Sequence, residues 1–528
     1  MTQPSGVVFP RSGPASGQQR RSTGDLGRHV VAAALRSVDV AGADRVLTES
    51  DWRHAYPTHF RHLLQAGLGA PADAQEIASA GLAALHRSMQ WADGSGEAER
   101  PLTGRPLRGL HPFGQAVLQG SRPPERFVSV PFTGDWLRGQ ALLRQLDAWV
   151  LRGVMEPDTA VAVRRVMDHP EWLRLPGRTA VVLGAGAEMG PLGSLLRWGA
   201  DVAAIDLPRP ALWRRLLAEV RDHAGRLIVP VPRRGAACSR AATLSFEATG
   251  ARGSDRCEAD LADRAGIDLL HDLPSVAVWI ADLSGDLVLG NYVYAEGARN
   301  VRVCTAVDDL TYRLLQRGGR SIALAFLGTP TDVFAVPADA VAAARAAYAQ
   351  RVGGGGLGRV LRSGSRHRLL TPNYGNSTHG YTNRADPQED RLGGPQINDS
   401  IIPQQGPNYL LAKRIQRWRA LEARTQGHLV SFGVAPPTRT RSVVSNRALA
   451  AAYAGAHRFG VEVFEPATSS TLMAILLVHD LYAGGPAPAT PWEAEARHAV
   501  HGGLWRCPYA PRSALGLAAL LGLVGRQY

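Results

Sequence analysis

The spacing of hydrophobic positions changes along the chain near residue 179. Over residues 25–170, apolar side chains recur three or four positions apart, most clearly over Ala72–Met89 and Trp136–Val154. That spacing is typical of helices with one buried face. From Thr179 onward, short apolar runs alternate with helical stretches. Strands that alternate with helices predict βαβ units and a parallel sheet.

The second pattern predicts the elements of one large α/β unit. Helices are expected at Pro191–Trp198, around the apolar stripe of Leu212, Leu216 and Val220, and at 274–282, 299–317 and 408–424. The predicted strands are Thr179–Leu183, Val202–Ile205, Leu227–Val231, Leu287–Leu289, Ile322–Leu327 and Leu429–Val434. The predicted fold class is therefore α/β, a doubly wound parallel Rossmann sheet that follows a mostly helical N-terminal domain.

These patterns divide the chain into four predicted parts. They are a disordered tail over 1–22, a helical domain over 23–175, a Rossmann domain over 176–484 and a helical C-terminal tail over 485–528. Two insertions, about 232–257 and 332–400, interrupt the Rossmann domain. A long segment of this kind is usually a lid, a binding loop or a disordered excursion.

Charge and cysteine usage exclude several classes of function. The net charge is +13, but the arginines are scattered rather than gathered in one stripe with aromatic residues between them, so no nucleic-acid partner is predicted. No CxxC pair occurs, and His54, His59 and His62 lack ligand partners at a suitable spacing, so no metal site is predicted. The apolar run Leu515–Val524 is about half a membrane span. We expect a cytoplasmic protein without a transmembrane segment.

The basic residues contain one informative exception. Of the 59 lysines and arginines, only Lys413 is a lysine. Where any cation serves, this chain uses arginine. Lysine differs in its compact ammonium group and in a pKa that burial can shift. Lys413 therefore marks a position where arginine is expected to fail.

A glycine-rich turn follows the first predicted strand. Its sequence is Val181-Val-Leu-Gly184-Ala-Gly186-Ala-Glu-Met-Gly190, and a helix is predicted after it. Glycines let the backbone turn tightly and approach a pyrophosphate. Asp206 stands twenty residues after Gly186, at the end of the next strand, where a carboxylate can accept hydrogen bonds from an adenosine ribose. The turn predicts a dinucleotide site.

Lys413 stands four residues after Tyr409 at the start of a predicted helix. Residues at this spacing share one face of a helix, about one turn apart. An ammonium group near a phenol lowers the pKa of the phenol. The pattern therefore predicts that Tyr409 passes a proton to or from a substrate oxygen near neutral pH.

Residues 178–480 resemble the short-chain dehydrogenase/reductase superfamily. The glycine turn, Asp206 and the Tyr409–Lys413 pair follow one another in the same order as the corresponding motifs of that family. Asp286–Asn291 resembles the fourth strand of that family with its asparagine turn. Asp268–Leu269 resembles the pair that contacts adenine, and Asp260–Leu261 is the competing match. Val434–Thr440 resembles the segment that holds the nicotinamide amide.

The resemblance implies specific roles. Tyr409 is the expected general acid/base. Lys413 is expected to lower the pKa of Tyr409 and to bind the nicotinamide ribose, and Asn291 to shape the cofactor cleft. NAD(H) is the favoured cofactor because Asp206 would repel a 2′-phosphate. The full set of cofactor-binding residues implied is Gly184, Gly186, Met189, Gly190, Asp206, Asp268, Asn291, Lys413 and Thr440.

Three positions depart from the family pattern. Glu188 stands where the family usually has the second glycine of the turn, and Pro437 also replaces a glycine. The usual catalytic serine is missing at its usual distance before the tyrosine. Thr329, at the end of the fifth strand, is the expected replacement, and Ser400 is the other candidate.

The sequence predicts a ketoreductase-like enzyme that acts on a small carbonyl or alcohol substrate, with a homo-dimer or homo-tetramer implied by the resemblance. Arg209, Arg214 and Arg215 near Asp206 leave NADP(H) as the alternative cofactor. Two alternative functions remain open. One is a nucleotide-binding sensor or scaffold without turnover, for which Glu188 and the missing serine argue. The other is a reductase of carbon–carbon double bonds.

Overall fold

The structure is a computed structural model of the chain. It describes residues 5–12, 20–94, 99–102, 112–233, 244–246, 253–354, 365, 368–374, 395–485 and 488–524. Residues 355–364, 366–367 and 375–394 of insertion 332–400, and residues 234–243 and 247–252 of insertion 232–257, lie outside the described residues.

Seventeen strands are found in the described residues. They are β1 (Ser5–Val8), β2 (Arg11–Ser12), β3 (Arg20–Arg21), β4 (Gln90–Asp93), β5 (Arg100–Pro101), β6 (Phe113–Gln119), β7 (Ser129–Phe132), β8 (Asp135–Arg138), β9 (Arg178–Leu183), β10 (Asp201–Ile205), β11 (Arg226–Pro232), β12 (Leu244–Phe246), β13 (Asp286–Asn291), β14 (Ile322–Gly328), β15 (Val333–Val336), β16 (Gln396–Asp399) and β17 (Val430–Val434).

The helices are equally spread along the chain. In order they are α1 (Thr23–Leu35), α2 (Val40–Leu47), α3 (Trp52–Ala66), α4 (Pro71–Ser88), α5 (Gly139–Leu151), α6 (Pro157–Asp168), α7 (Leu192–Trp198), α8 (Pro210–Arg221), α9 (Gly253–Arg264), α10 (Leu273–Ala281), α11 (Ala298–Arg317), α12 (Ala338–Gly354), α13 (Pro407–Thr425), α14 (Arg441–Ser445), α15 (Arg447–Gly455), α16 (Pro466–Tyr482), α17 (Pro491–Ala496) and α18 (Pro511–Val524). None of these helices is both long and apolar enough to cross a membrane.

An eight-stranded sheet forms the centre of this mixed α/β structure. Its strand order is β12-β6-β11-β10-β9-β13-β14-β17. The six strands from β11 to β17 run parallel, and β6 pairs antiparallel with β11. The chain forms β9, β10 and β11 in turn towards one edge of the sheet, and then β13, β14 and β17 towards the other edge. The order of strands along the sheet therefore reverses between the neighbours β9 and β13.

The two faces of the sheet carry separate hydrophobic clusters. Alternate residues of β9 show this: Val181 and Leu183 belong to one cluster, and Ala180 and Val182 to the other. Both faces of a parallel strand are covered in this way because successive side chains point in opposite directions. The first cluster includes α1–α4, α10, α11 and α13, and the second includes α5–α9 and α16.

The six strands predicted for the sheet are confirmed, each within two residues at its ends, and so are the helices at 191–198, 274–282, 299–317 and 408–424. The helix over 72–89 and the terminal helix are also confirmed. The helix over Trp136–Val154 is partly wrong, because Asp135–Arg138 is a strand and the helix begins only at Gly139. Strand β8 pairs with β7 through the turn at Thr133 and Gly134.

Two further expectations for the N-terminal part need correction. Residues Ser5–Val8 are not a disordered tail: they pair with β4, and Val7 is fully buried. The region before residue 175 also contributes Phe113–Gln119 to the main sheet. Only Ala116 and Leu118 of this strand are buried, so apolar buried residues and exposed residues alternate only weakly along it. The hydrophobic pattern of the sequence therefore did not predict this strand. The domain boundaries at 175 and 484 remain predictions.

Candidate active site

A large cavity opens at the carboxyl ends of the parallel strands. Its volume is about 1900 Å³. Residues directly after β9, β10 and β17 line it, together with the last residues of β13 and β14. Ligands of open parallel sheets bind at this edge, where the direction of strand progression reverses. At this edge of the sheet, the cavity is lined by Gly184, Asp206, Asn291, Gly328, Thr329 and Ala435.

Gly184 makes the tight turn at the end of β9. Its φ is +82°, a conformation that side-chain-bearing residues rarely adopt. A Cβ atom at this position would lie 3.1 Å from backbone atoms of Tyr292 and Val293. Glycine at this position therefore lets the turn pack closely against Tyr292 and Val293, which also line the cavity.

Asp206 is tied to the same turn. Its Oδ2 accepts a hydrogen bond of 2.8 Å from the Gly186 backbone N–H, and its Oδ1 accepts one of 2.7 Å from Leu207. Burial raises the pKa of Asp206, while these two bonds and the positive charges of Arg209 and Arg215 oppose the shift. The carboxylate is thus held at the cavity wall by fixed donors, as expected for a group that accepts hydrogen bonds from a ribose.

Glu188 stands where the family usually has the second glycine of the turn. It lies on one side of the cavity and forms hydrogen bonds with Arg441, which lies on the other side. Its Oε2 accepts a hydrogen bond of 2.8 Å from the Arg441 backbone N–H, and its Oε1 lies 3.0 Å from the Arg441 Nε. Glu188 is about a quarter exposed and Arg441 two thirds exposed. This ion pair links the glycine turn to the segment that follows Thr440.

Lys413 donates hydrogen bonds away from Tyr409. Its Nζ bonds to the Leu327 carbonyl at 3.1 Å and to the Gln416 Oε1 at 3.2 Å. Gln416 in turn donates to the Asn291 Oδ1 at 3.3 Å. Burial lowers the pKa of Lys413, as its sequence context suggested. A hydrogen-bonded chain therefore joins the lone lysine to the asparagine at the end of β13.

Tyr409 lies in the same cavity, close enough to Thr329 for that hydroxyl to lower the pKa of Tyr409. Burial has the larger effect, so that the pKa is raised overall. The expected lowering by Lys413 is therefore not what the structure gives, because the ammonium group bonds to Leu327 and Gln416 instead. Tyr294 packs against Tyr409 edge-on, with ring centroids 6.4 Å apart.

The candidates that the sequence leaves open for two positions lie in different places. Thr329 lines the cavity and its hydroxyl lies 2.9 Å from that of Thr331, whereas Ser400 is fully buried and donates to Asn398 at 2.6 Å. Asp268 also lines the cavity, whereas Asp260 pairs with Arg264 on α9. Of the remaining predicted residues, Gly186, Met189, Asn291 and Thr440 line the cavity as well. Gly190 does not, although it belongs to the same turn.

A buried ionic group fixes the helix that carries Tyr409 and Lys413. Asp332 is 1% exposed and contacts Arg414 at 3.0 Å and Arg417 at 2.8 Å. Arg417 also pairs with Glu495. Asp332 follows the turn that contains Thr329, so these pairs hold α13 against the end of β14.

Several cavity residues were missed in the sequence. Trp52, Arg53 and His54 at the start of α3 line the cavity, although this region was assigned to a separate domain. No local signal marks them, because their position depends on packing between distant segments. Gln416 does not line the cavity but bonds to Lys413, and it could have been found because it stands three residues after Lys413 on the same helix face.

Comparison of the chain with models of protein families, with curated proteins and with solved structures found no match. The family resemblance therefore rests on the residues quoted above alone.

Proposed function

We propose that this chain is an NAD(P)-dependent oxidoreductase that transfers a hydride between nicotinamide and a carbonyl or hydroxyl carbon. One observation carries the proposal: residues selected from separate sequence motifs come together in one cavity. The cavity is lined by Gly184 and Asp206 and also by Thr329, Tyr409 and Lys413. Chance would scatter residues from unrelated segments over the surface.

The fold supports the proposal. Numbered along the chain, the six parallel strands have the order 3-2-1-4-5-6, which is the order of a Rossmann sheet. Helices pack on both faces, as in a doubly wound sheet. The cavity adjoins the ends of β9 and β13, where such sheets bind dinucleotides.

The cavity residues fit the parts of a dinucleotide. The turn that begins at Gly184 lines the cavity and would face the pyrophosphate. Asp206 suits the adenosine ribose and favours NAD(H), and Lys413 and Thr440 would hold the nicotinamide end. When bound, the nicotinamide supplies or accepts the hydride. Ligand cavities usually measure roughly 300–1000 Å³, so about 1900 Å³ leaves room for a substrate beside the dinucleotide.

The chain's own residues handle the proton. The phenol of Tyr409 is protonated near neutral pH and would donate a proton to a developing alkoxide during carbonyl reduction, although burial raises its pKa and so makes it a weaker acid. Thr329 lines the same cavity and would hydrogen-bond the substrate oxygen. Lys413 donates to Gln416, and Gln416 donates to Asn291, so these three side chains are held in fixed positions at the ends of β13 and β14.

A nucleotide-binding protein without turnover is the second candidate. Two observations favour it: Lys413 does not bond to Tyr409, and the Glu188–Arg441 pair spans the glycine-turn side of the cavity. A reductase of carbon–carbon double bonds uses the same residues, with Tyr409 protonating an enolate.

A substrate screen separates these functions. NADH and NADPH oxidation is followed by absorbance with panels of ketones, aldehydes and activated alkenes, and products are identified by mass spectrometry. Alcohol products support the proposal. Saturated carbonyl products indicate double-bond reduction. Saturable cofactor binding with no oxidation on any panel indicates the second candidate.

A further inference from the structure

Two histidines and an aspartate form a second polar cluster outside the cavity. His479 and Asp480 lie at the end of α16, and His498 lies in the segment after α17. His479 Nδ1 is 3.2 Å from Asp480 Oδ1, and His498 Nδ1 is 2.9 Å from the same oxygen. Among the described residues, this is the group whose ligand atoms all lie within 4.8 Å of one another.

The spacing of these atoms matches the edges of a small coordination sphere. Zinc binds imidazole nitrogen and carboxylate oxygen at about 2.0–2.2 Å, so neighbouring ligand atoms in a tetrahedral site lie about 3.3 Å apart. The two nitrogen–oxygen distances are within a few tenths of an ångström of that value. The ligands therefore need only small side-chain rotations to surround an ion.

The surroundings orient the carboxylate. Ser431 at the start of β17 donates a hydrogen bond of 2.7 Å to Asp480 Oδ2, which leaves Oδ1 directed at the two imidazoles. Ligating carboxylates are commonly held by such a hydrogen bond. His498 is 7% exposed, whereas His479 and Asp480 are 12% and 14% exposed. Solvent therefore reaches the cluster from the side of α16, where water can complete the coordination.

One nearby charge opposes a cation. Arg424 is close enough to Asp480 for the two charges to influence the pKa of Arg424, and Glu495 acts on it in the same way. Arg424 stacks over the Phe432 ring at 6.0 Å and donates to the Val430 carbonyl. Glu495 also pairs with Arg417, so the positive charge of Arg424 near Asp480 weakens the binding of a cation there.

We propose that His479, Asp480 and His498 bind one divalent transition-metal ion, with Zn²⁺ favoured, through two imidazole nitrogens and one carboxylate oxygen. Three protein ligands and a water are the set typical of catalytic zinc sites, whereas structural zinc usually has four protein ligands. The structural role proposed for this ion therefore rests on the backbone contacts of the segment that carries His498. The His498 carbonyl accepts a hydrogen bond of 3.0 Å from Val434 N–H, and Val500 N–H bonds back to the Val434 carbonyl at 2.9 Å. The ion would clamp α16 to this segment and steady the strand end that leads to Pro436–Thr440 in the cavity.

The test uses the untagged full-length chain, stripped with chelator and dialysed against buffered Zn²⁺. Metal content is measured by mass spectrometry, and Co²⁺ replaces Zn²⁺ to give the visible absorption of a tetrahedral nitrogen–oxygen site. We expect one ion per chain and a higher melting temperature with metal. His479→Ala and His498→Ala abolish both effects, and Ser431→Ala weakens binding about tenfold because the carboxylate loses its orienting bond.

His457→Ala is the matched control, since His457 bonds only locally to the Ala454 carbonyl and should bind metal as the wild type does. Circular dichroism checks the folding of each variant. If His498→Ala does not fold, the less buried His479→Ala decides. Absence of Zn²⁺ binding by the wild-type chain overturns the proposal. Binding that stays at the wild-type level in folded His479→Ala overturns it as well, because the ion then lies elsewhere.

Discussion

The two halves of the cavity are built in different ways. The glycine-turn half, defined as Gly184–Gly190 with Asp206, comes from one short stretch of chain and relies on backbone contacts. The tyrosine–lysine half, defined as Asn291, Thr329, Tyr409 and Lys413, joins the ends of β13 and β14 to α13 through side chains.

From this difference we expect the glycine-turn half to bind the cofactor and the tyrosine–lysine half to carry out the proposed reaction. The glycine-turn half contains a glycine-rich turn and the carboxylates of Glu188 and Asp206, and in the proposed function it binds the constant nucleotide part of the cofactor. The tyrosine–lysine half contains a phenol with a raised pKa and an ammonium group with a lowered pKa, and buried ion pairs hold it in place. Variants in the first half should change cofactor affinity, and variants in the second should change turnover or stability.

The largest effect is expected for Tyr409→Phe. General acid catalysis contributes about 10²–10⁴-fold to a rate, and the phenol of Tyr409 is the proton donor in the proposed function. We expect kcat to fall by about this factor while the dissociation constant for NADH stays nearly unchanged. Steady-state kinetics and fluorescence titration measure the two quantities.

Tyr312→Phe is the control for this variant. Tyr312 is 42% exposed on α11 and does not line the cavity. Full activity in Tyr409→Phe would show that the proton comes from another group.

Asp332→Asn tests the buried support of the tyrosine–lysine half. Loss of one partner from a buried ion pair costs about 3–5 kcal/mol, because the other charge is left uncompensated. Asp332 serves both Arg414 and Arg417. We expect the free energy of unfolding to fall by about that amount in urea titrations.

An exposed ion pair provides the comparison. Glu465→Gln removes the partner of Arg439, and both side chains are more than half exposed. Such pairs contribute about 0–1 kcal/mol. Equal losses in the two variants would mean that the Asp332 pairs do not hold α13 in place.

Lys413→Arg tests why one lysine is retained. The guanidinium group is larger and planar, and it cannot fit the same two acceptors, the Leu327 carbonyl and the Gln416 oxygen, without displacing α13 or Gln416. Two charge-assisted hydrogen bonds are at stake, so we expect NADH affinity and turnover each to fall by about 10-fold or more. Isothermal titration and kinetics measure these losses.

Arg152→Lys is the matched control, because Arg152 is half exposed and pairs with Glu462 on the surface. Its affinity and turnover should equal those of the wild type. A Lys413→Arg variant that also behaves as wild type would mean that the lone lysine has no special role.

Asp206→Ser tests cofactor choice in the glycine-turn half. The change removes a negative charge that repels a 2′-phosphate and leaves Arg209 and Arg215 nearby. We expect the ratio of NADPH to NADH affinity to rise about tenfold, which corresponds to about 1.4 kcal/mol. Competition titrations with both cofactors measure the ratio, and an unchanged ratio would place the adenosine ribose away from Asp206.

The smallest effect is expected for Glu188→Gln. Glu188 places a negative charge on the phosphate loop, opposite Arg441. Its neutralisation should tighten NADH binding by about 2–5-fold, the effect of a partly exposed charge interaction worth up to about 1 kcal/mol. Arg441→Gln also breaks the pair but keeps the carboxylate, so it should not tighten binding. Equal effects of the two variants would assign the change to the broken pair rather than to charge.

Sequence reasoning recovered the parts of the fold that depend on local pattern. The strands of the parallel sheet and the glycine turn are contiguous segments with clear spacing. The strand Phe113–Gln119 escaped because only two of its residues are buried and its neighbours in the sheet lie more than a hundred residues away. Long-range pairing of this kind leaves little trace in the strand itself.

The candidate site shows the same limit. Gly184, Asp206 and Tyr409 could be selected because each belongs to a spaced motif. The direction of the Lys413 side chain could not, because the acceptors on Leu327 and Gln416 are set by how α13 packs on β14. The Glu188–Arg441 pair and the cluster around Asp480 likewise join distant segments.

A titration of the wild-type chain with NADH, followed by nicotinamide fluorescence and reversed by NAD⁺, tests the central claim most directly. The proposed function predicts saturable binding at one site per chain, with competition by ADP-ribose because Asp206 and the glycine turn recognise that part. Folded protein that binds neither NADH nor NADPH would contradict the claim, and the cavity would then belong to a different ligand.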